Sequence, residues 1–262
     1  MNDLVAVIGR PIEHSRTPAL HFYASRKCGR KLLSFRCELE DSQLEPFVRF
    51  VRGSQRFLGF NVTMPFKTKI IDQIDHCSPE SRFLSAVNLV VKDAGRLMGY
   101  NTDWLAVRGA LADRHLNADS ALIVGAGGAA AAATYALNHP TRLASKIYVY
   151  NRSETRLSAF KKIFPDAIPV SFPSDVGSFD MVVNAIPVSL EESNMFSNLW
   201  KSARVRVDFN YTGRQDRKAS ESGGDMIDGY EILARQAQAG LKILLGCEVT
   251  LQELVMVARE GY

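Results

Sequence analysis

Short apolar blocks alternate with helix-period segments along the whole chain. Leu4 to Ile8 is an apolar run closed by Gly9, the pattern of a buried strand. Thr17-Pro18 then opens a helix, with Thr17 placed as N-cap and Pro18 at the first helical position. Leu32 to Cys37 and Arg56 to Val62 read as further strands, with a helix from Leu44 to Val51 between them. Ala86 to Val91 and Leu97 to Tyr100 flank Asp93-Ala94-Gly95, a hairpin signal. A helix follows from Asp103 to Arg114.

A second unit begins after that helix. Ala121 to Val124 is a strand, and the glycine turn Gly125-Ala-Gly-Gly-Ala-Ala130 leads into an alanine-rich helix. Strands follow at Lys146 to Tyr150, Met181 to Val183 and Val205 to Asp208, with a helix near Glu154 to Ile163. Gly229 to Arg259 reads as two helices. Strands alternating with helices imply parallel sheets and an α/β fold. The plan expected is two α/β lobes, joined near Asp103, with the terminal helices returning to the first.

Composition narrows the picture. The chain has 262 residues, 46% hydrophobic and 23% charged, enough to bury a sizeable core. Its net charge of +4 comes from scattered basic residues, which gives no support to a nucleic-acid surface. Cys28, Cys37, Cys77 and Cys247 show no CxxC pairing and no metal spacing, so four reduced thiols of a cytoplasmic protein are expected. No signal peptide is evident at the N-terminus. The uncharged run from Ser120 to Thr141 has the length of a membrane span, but a strand, glycine turn and helix explain it better.

The chemistry divides between the two units. Gly125-x-Gly127-x-x-Ala130 sits between a strand and a helix, where glycines let a dinucleotide pyrophosphate approach the helix N-terminus. An NAD site ends its second strand with an acid that binds the ribose 2′-hydroxyl. Here that strand ends Tyr150-Asn151-Arg152-Ser153, with Arg156 following, and two arginines suit a 2′-phosphate. NADP is therefore favoured, while Glu154 between the arginines weakens the electrostatic argument a little.

In the first unit, Asn61-Val-Thr-Met-Pro-Phe-Lys67 carries an apolar strand to a stop at Pro65 and delivers Thr63 and Lys67 at its end. A lysine so placed can serve as a proton carrier; taken alone, it reads better as a solvated lysine opening a helix. His14-Ser15-Arg16-Thr17-Pro18 puts hydroxyls at a helix N-terminus, which suits a carboxylate. Asn88 follows Ala86-Val87, and Asn101-Thr102-Asp103 links a hairpin to a helix. Ser15, Thr17 and Asp103 each make a reasonable N-cap singly. Together these segments offer a cation, an acid, an amide and hydroxyls, a set suited to a small polyhydroxylated acid.

GRPIEHSRTP, FNVTMPFK, SAVN, GYNTD, VGAGGAA, NRSETR, DFNY and DGYEILARQA occur in that order from Gly9 to Ala237. In this series the chain resembles the shikimate dehydrogenase family, which includes quinate/shikimate dehydrogenases. The resemblance implies an N-terminal substrate domain over 1–102, an NADP-binding Rossmann domain over 103–228, and C-terminal helices over 229–262 packing on the first domain. It implies reversible hydride transfer between 3-dehydroshikimate and shikimate, on the route to aromatic amino acids. Lys67 and Asp103 would be the catalytic pair: Lys67 would give a proton to the carbonyl oxygen during reduction, and Asp103 would orient it and hold a ring hydroxyl. Ser15 and Thr17 would bind the substrate carboxylate, and Thr63, Asn88, Tyr211 and Gln236 would complete the pocket. Gly125, Ala126, Gly127, Gly128 and Ala129 would carry the pyrophosphate. Asn151, Arg152, Ser153 and Arg156 would take the adenosine phosphate, and Gly229 would lie near the nicotinamide. The partners implied are a small-molecule substrate and NADP, with no metal, nucleic acid or membrane, in a monomer or homodimer.

The chain departs from the family pattern in four places. Thr17 stands where a second serine is usual, a change that the resemblance associates with acceptance of quinate. Leu89 follows Asn88 where threonine is common, and Ile186-Pro-Val-Ser-Leu190 replaces small residues. The segment after Tyr211, Thr-Gly-Arg-Gln-Asp-Arg-Lys, looks shortened. A broader quinate or aminoshikimate dehydrogenase and a non-catalytic ligand sensor therefore stand as alternatives, although a sensor has no need of both Lys67 and Asp103.

Overall fold

A computed structural model describes residues 2–211 and 223–261. The chain divides into two compact units, one running to Thr102 and resuming at Ala234, the other spanning Asp103–Leu233. The segment after Tyr211 whose shortening the sequence suggested lies outside the described residues.

The first unit is built on a six-stranded sheet. Its strands are β1 (Asp3–Gly9), β2 (Leu32–Glu38), β3 (Phe57–Val62), β4 (His76–Cys77), β5 (Leu89–Asp93) and β6 (Arg96–Tyr100), in the order β2-β1-β3-β5-β6-β4. The alternation of strands and helices implied parallel pairing, and the Asp93-Ala94-Gly95 signal implied a hairpin within it; the sheet is mixed. β1 pairs in parallel with β2 and β3, whereas β5 runs antiparallel to both β3 and β6. The reason is local: Ala94 (φ 45°) and Gly95 (φ 82°) adopt the left-handed conformations that close a two-residue hairpin. Strand β5 starts at Leu89 rather than Ala86, because the backbone at Ala86 to Asn88 pairs with other segments: the Val87 N–H donates to the Lys67 carbonyl.

Helices α1 (Thr17–Lys27) and α2 (Leu44–Gly53) belong to the first unit, and a short α3 (Pro79–Leu84) follows β4. In α2 the apolar face Leu44, Val48 and Val51 packs into a core with Ile8, Phe57, Phe60, Val62 and Phe66. Thr17 was expected as the N-cap of α1, but Arg16 occupies that position without a side-chain cap bond and Thr17 is the first helical residue. The Thr17 hydroxyl is thus not used for capping.

The second unit carries a six-stranded parallel sheet. After α4 (Asp103–Asp113) come β7 (Ala118–Val124), α5 (Gly128–Asn138), β8 (Ala144–Tyr150), α6 (Glu154–Ile163), β9 (Ile168–Pro169), β10 (Met181–Asn184), α7 (Ser197–Ser202), β11 (Val205–Asp208) and β12 (Asp225–Ile227). The order β12-β11-β10-β7-β8-β9 reverses direction between β7 and β10, which is where doubly wound sheets open a crevice at their strand ends. Nearly every residue of β7, β10 and β11 is buried, as a sheet covered on both faces requires. In α5 the buried alanines Ala130, Ala132, Ala133 and Ala136 let backbones approach closely.

Helix α8 (Gly229–Leu245) starts in the second unit and ends in the first, where α9 (Leu251–Glu260) packs beside α1. Thr250 and Glu253 form a capping box on α9, and Glu253 also pairs with Lys27 of α1. Four reduced thiols were expected, but Cys28 and Cys247 form a disulfide, with Cα atoms 6.1 Å apart at a sequence separation of 219. Spacing along the chain is silent about a pairing that only the return of the C-terminal helices creates. Cys37 and Cys77 are free thiols, each pushed upward in pKa by burial. Among the described residues no helix is long and apolar enough to cross a membrane.

Candidate active site

The residues singled out in sequence fall into both units. Ser15, Thr17, Thr63, Lys67, Asn88 and Gln236 lie in the first; Asp103, the glycine turn, Asn151 to Arg156, Tyr211 and Gly229 lie in the second.

In the first unit Ser15 and Thr17 are both buried at the head of α1, and the Thr17 N–H donates to Ser15 Oγ (3.4 Å). Arg36 on β2 donates through Nε to the Ser15 carbonyl (2.9 Å) and fixes this turn. The end of β3 is held against β1: the Thr63 N–H donates to the Ile8 carbonyl and the Arg10 N–H to the Met64 carbonyl, each at 2.9 Å. Gly9 permits that approach, since a Cβ there would stand 2.9 Å from the Met64 oxygen. Phe66 is fully buried, and its N–H donates back to the Thr63 carbonyl (2.9 Å), so the chain turns around an apolar anchor. Lys67 follows, half-buried, with its carbonyl accepting from the Val87 N–H (2.8 Å). That bond sets the Lys67 backbone against the residue that precedes Asn88.

Asn88 is the centre of a buried knot. Its Nδ2 donates to Thr102 Oγ1 and to Gln236 Oε1, both at 3.0 Å, and its Oδ1 accepts from the Thr102 N–H at 2.8 Å. The Asn101 amide donates to the Ala86 carbonyl (3.0 Å), tying the same two segments a second time. Buried amides so satisfied hold one orientation. Gln236 thus arrives from 148 residues away to stand beside Asn88. Thr102 was part of a motif but was not singled out; its signal was its place between Asn101 and Asp103.

In the second unit Asp103 is the first residue of α4 and only 6% exposed, a position where the helix dipole favours a carboxylate. After β7, Gly125 takes φ 121°, and a Cβ there would sit 3.0 Å from the Ala185 carbonyl oxygen. Gly127 is the N-cap of α5, and an added Cβ would meet nothing within 4 Å. The first-turn N–H groups of α5, including those of Gly128 and Ala129, have no intrahelical acceptor and face an open approach. Ala126 bridges the two glycines.

At the end of β8 the Asn151 amide donates to the Ser153 carbonyl (3.0 Å), and Ser153 caps α6 by accepting from the Arg156 N–H. A cavity of about 560 Å³ opens here, with Asn151 and Arg152 on one side and Lys161 and Ser171 on the other. Arg152 lines it and Arg156 is not among its lining residues, although both side chains are exposed. Lys161, unnoticed in the sequence, lines the cavity and donates to the carbonyls of Pro165 (2.5 Å) and Ala167 (2.8 Å), which fixes the loop that leads to the lining residues Pro169, Val170 and Ser171. The residues present fit a dinucleotide: a helix N-terminus behind glycines, then a cavity at the second strand lined by Arg152, Lys161 and Glu154, with no acid at the strand end itself.

Tyr211 and Gly229 come together. A Cβ on Gly229 would approach the Asn210 carbonyl to 2.6 Å, so only glycine lets α8 start against this backbone. The Tyr211 and Tyr230 rings pack 6.0 Å apart. Two buried residues that sequence reasoning passed over support this side. Asn184 donates to Asp208 Oδ1 (2.9 Å) and to the Val188 carbonyl (2.9 Å), and Asp208 accepts from the Asn210 N–H (2.8 Å). Among the described residues no group of His, Cys, Asp and Glu is placed to hold a metal ion.

Residues 7–90 match the family model of the shikimate dehydrogenase substrate binding domain. A shikimate dehydrogenase (NADP(+)) of Caldivirga maquilingensis is 32% identical, over 92% of this chain and 91% of that protein. One of Pyrobaculum aerophilum is 34% identical, over 93% of each. Among solved structures, the shikimate 5-dehydrogenase of Thermus thermophilus in complex with NADP(H) and shikimate superposes with a TM-score of 0.86 at 28% identity, covering 99% of this chain and 100% of that one.

Proposed function

The chain belongs to the shikimate dehydrogenase family, and on that premise we propose that it is an NADP-dependent oxidoreductase interconverting 3-dehydroshikimate and shikimate. NADPH, when bound, supplies the hydride, and the protein supplies position and one proton. Lys67 gives that proton to the substrate carbonyl oxygen and recovers it in the reverse direction. Asp103, next in the chain after Thr102, orients Lys67 and accepts from a ring hydroxyl. Ser15 and Thr17 take the carboxylate; Thr63, Asn88, Gln236 and Tyr211 take the remaining polar groups.

The cofactor lies along the second unit in this reading. The backbone from Gly125 to Ala129 holds the pyrophosphate, Asn151, Ser153, Arg152 and Arg156 hold the adenosine phosphate, and Gly229 borders the nicotinamide. We assign 1–102 to substrate binding, 103–228 to the cofactor and 229–262 to helices that complete the substrate side. A monomer or homodimer working in the cytoplasm is the setting that fits these roles.

One observation carries the reading: the Asn88–Thr102–Gln236 knot joins three distant segments and is tied by a backbone bond to the turn that bears Lys67. A fold kept only for stability has no need of three satisfied amide and hydroxyl groups at the edge of an apolar core. The test is absorbance of reduced nicotinamide with purified protein, shikimate or quinate, and NADP or NAD. Turnover with shikimate and NADP is expected. Turnover with quinate at a similar rate would favour the broader dehydrogenase, for which Thr17 in place of serine is the specific observation. Binding of shikimate without turnover in any combination would leave a ligand sensor.

A further inference from the structure

A pair of charges in the second unit joins the end of α4 to the start of α8. Helix α4 ends in a Schellman arrangement. The Leu116 N–H donates to the Leu111 carbonyl (2.9 Å), the His115 N–H donates to the Ala112 carbonyl (3.0 Å), and His115 takes the left-handed conformation (φ 54°). Arg114 stands at the cap of that turn, which fixes where its side chain starts. Its guanidinium lies back along the helix, with Nη1 donating to the Ala110 carbonyl (3.2 Å). The same group closes as a fork on Glu231: Nη1 donates to Oε1 (2.8 Å) and Nη2 to Oε2 (2.7 Å). The Glu231 side chain is only 13% exposed.

Glu231 is the third residue of α8. Its N–H donates to Asp228 Oδ1 (2.8 Å), which caps the helix, and the Ile232 N–H donates to the Asp228 carbonyl (3.0 Å). A glutamate at this position often turns back to its own cap, as Glu253 does to the Thr250 N–H at the head of α9. Here both Glu231 oxygens accept from Arg114, at a sequence separation of 117. Two residues earlier, Gly229 lies so close to Asn210 that an added Cβ would come within 2.6 Å of its carbonyl. Asn210 in turn donates through its N–H to the buried Asp208 (2.8 Å). The first turn of α8 is therefore gripped from two sides, by Arg114 and by the backbone after β11. A partly buried ion pair gains little stability over an apolar contact of the same volume. What a two-bond fork adds is a fixed distance and a fixed angle.

We propose that Arg114 is a positioning residue for hydride transfer: through its fork on Glu231 it sets the first turn of α8, and with it Gly229 as a border of the nicotinamide. The inference rests on the proposed function, because the place of Gly229 beside that ring belongs to it. It does not put Arg114 or Glu231 in contact with cofactor or substrate.

The test compares Arg114→Met, which keeps the apolar stem and loses the fork, with the double variant Arg114→Met/Glu231→Leu, which exchanges the pair for an apolar contact. Calorimetry reads the affinity for NADP and for 2′-phospho-ADP-ribose, the same cofactor without its nicotinamide. Steady-state rates and urea midpoints accompany it. R114M is expected to weaken NADP about 5-fold, since binding must then order the loosened turn, and to leave the fragment unchanged. Its kcat should fall about 10-fold, because the ring is held less well for transfer, with the KM for shikimate unmoved. In the double variant the urea midpoint should return to the parental value while the losses in NADP affinity and kcat remain. A folded R114M with parental NADP affinity and kcat overturns the inference. Equal weakening of NADP and the fragment overturns it too, as does a double variant that recovers NADP affinity together with stability. Should neither variant fold, Glu231→Gln, which keeps the shape and one acceptor, is read in the same way: a smaller loss confined to NADP and kcat is expected, and parental values overturn the inference. A parent that binds neither NADP nor the fragment removes the proposed function and this inference together, whereas a working parent with a silent R114M removes the inference alone.

Discussion

The two units meet their ligand chemistry by opposite means. In the first, the candidate groups are side chains, buried and cross-bonded: Asn88 alone bonds Thr102 and Gln236 from two other segments. In the second they are chiefly backbone, offered at an open helix N-terminus behind Gly125 and Gly127, with exposed arginines beyond. Side chains held by burial discriminate between small molecules through the cost of an unmatched polar group. Backbone N–H groups bind any phosphate that fits and leave the choice of cofactor to a few exposed charges. Substitutions should therefore act all-or-none in the first unit and by degrees in the second.

The largest contrast is expected at Lys67. Lys67→Ala removes the proposed proton carrier without disturbing the backbone bond between its carbonyl and Val87. kcat should fall roughly 10²–10⁴-fold, with KM for shikimate moving far less. Steady-state rates decide this, and an unchanged kcat would remove Lys67 from the chemistry.

Acid should also strike the first unit. His21 is fully buried with a pKa lowered to about 4 from an ordinary 6.5, so the unfolded chain binds a proton that the folded chain refuses. Its contribution is complete above pH 6.5 and is lost as pH falls towards 4, amounting to about 3 kcal/mol over that window. Glu253 acts lower, since Lys27 and Thr250 hold its carboxyl at about 2, and its contribution is lost between pH 4.5 and 2. Urea midpoints at pH 7 and 4.5 should separate by less in His21→Phe than in the parent. Equal separations would mean that His21 is not the group that titrates.

Asn88→Ala should raise the KM for shikimate roughly 10- to 100-fold, because the Thr102 N–H loses its acceptor in a buried place and Gln236 keeps only the longer bond from Thr102 Oγ1 (3.4 Å). The KM for NADP should hold. Equal weakening of both ligands would blur the difference between the units and count against a side-chain-built substrate site.

What could be read in the sequence follows the same division. The glycine turn was legible because its physics is local: a strand, two glycines and a helix start lie within a dozen residues. The Asn61–Lys67 segment was legible as a place where polar groups end an apolar strand. The knot was not, because Asn88, Thr102 and Gln236 meet only after the chain has folded, and resemblance alone singled out Gln236. His21 left no local sign, being one histidine on a helix. The β5–β6 hairpin was legible at Asp93-Ala94-Gly95, whereas the antiparallel pairing of β5 with β3 was not, because it depends on the sheet that the hairpin enters. Lys161 escaped notice because its function is to hold carbonyls that lie beyond its own helix.

The smallest effect is expected at the cofactor phosphate, and it tests the claim that the second unit acts by degrees. Arg152 lines the cavity after β8, whereas Arg156 is not among its lining residues. Both are exposed, so water and salt screen whatever they bind. Arg152→Ala should raise the KM for NADP about 10-fold, within the range of a charge-assisted hydrogen bond, and Arg156→Ala by only a few-fold. NAD has no 2′-phosphate, so its KM should not change in either variant. The Arg152 effect should shrink between low and high ionic strength, because an exposed pair weakens as the screening length shortens. If Arg156→Ala cost more than Arg152→Ala, the phosphate would lie along the first turn of α6 and not in the cavity. If either variant abolished turnover outright, the second unit would depend on single side chains as the first does, and the contrast between the two would fail.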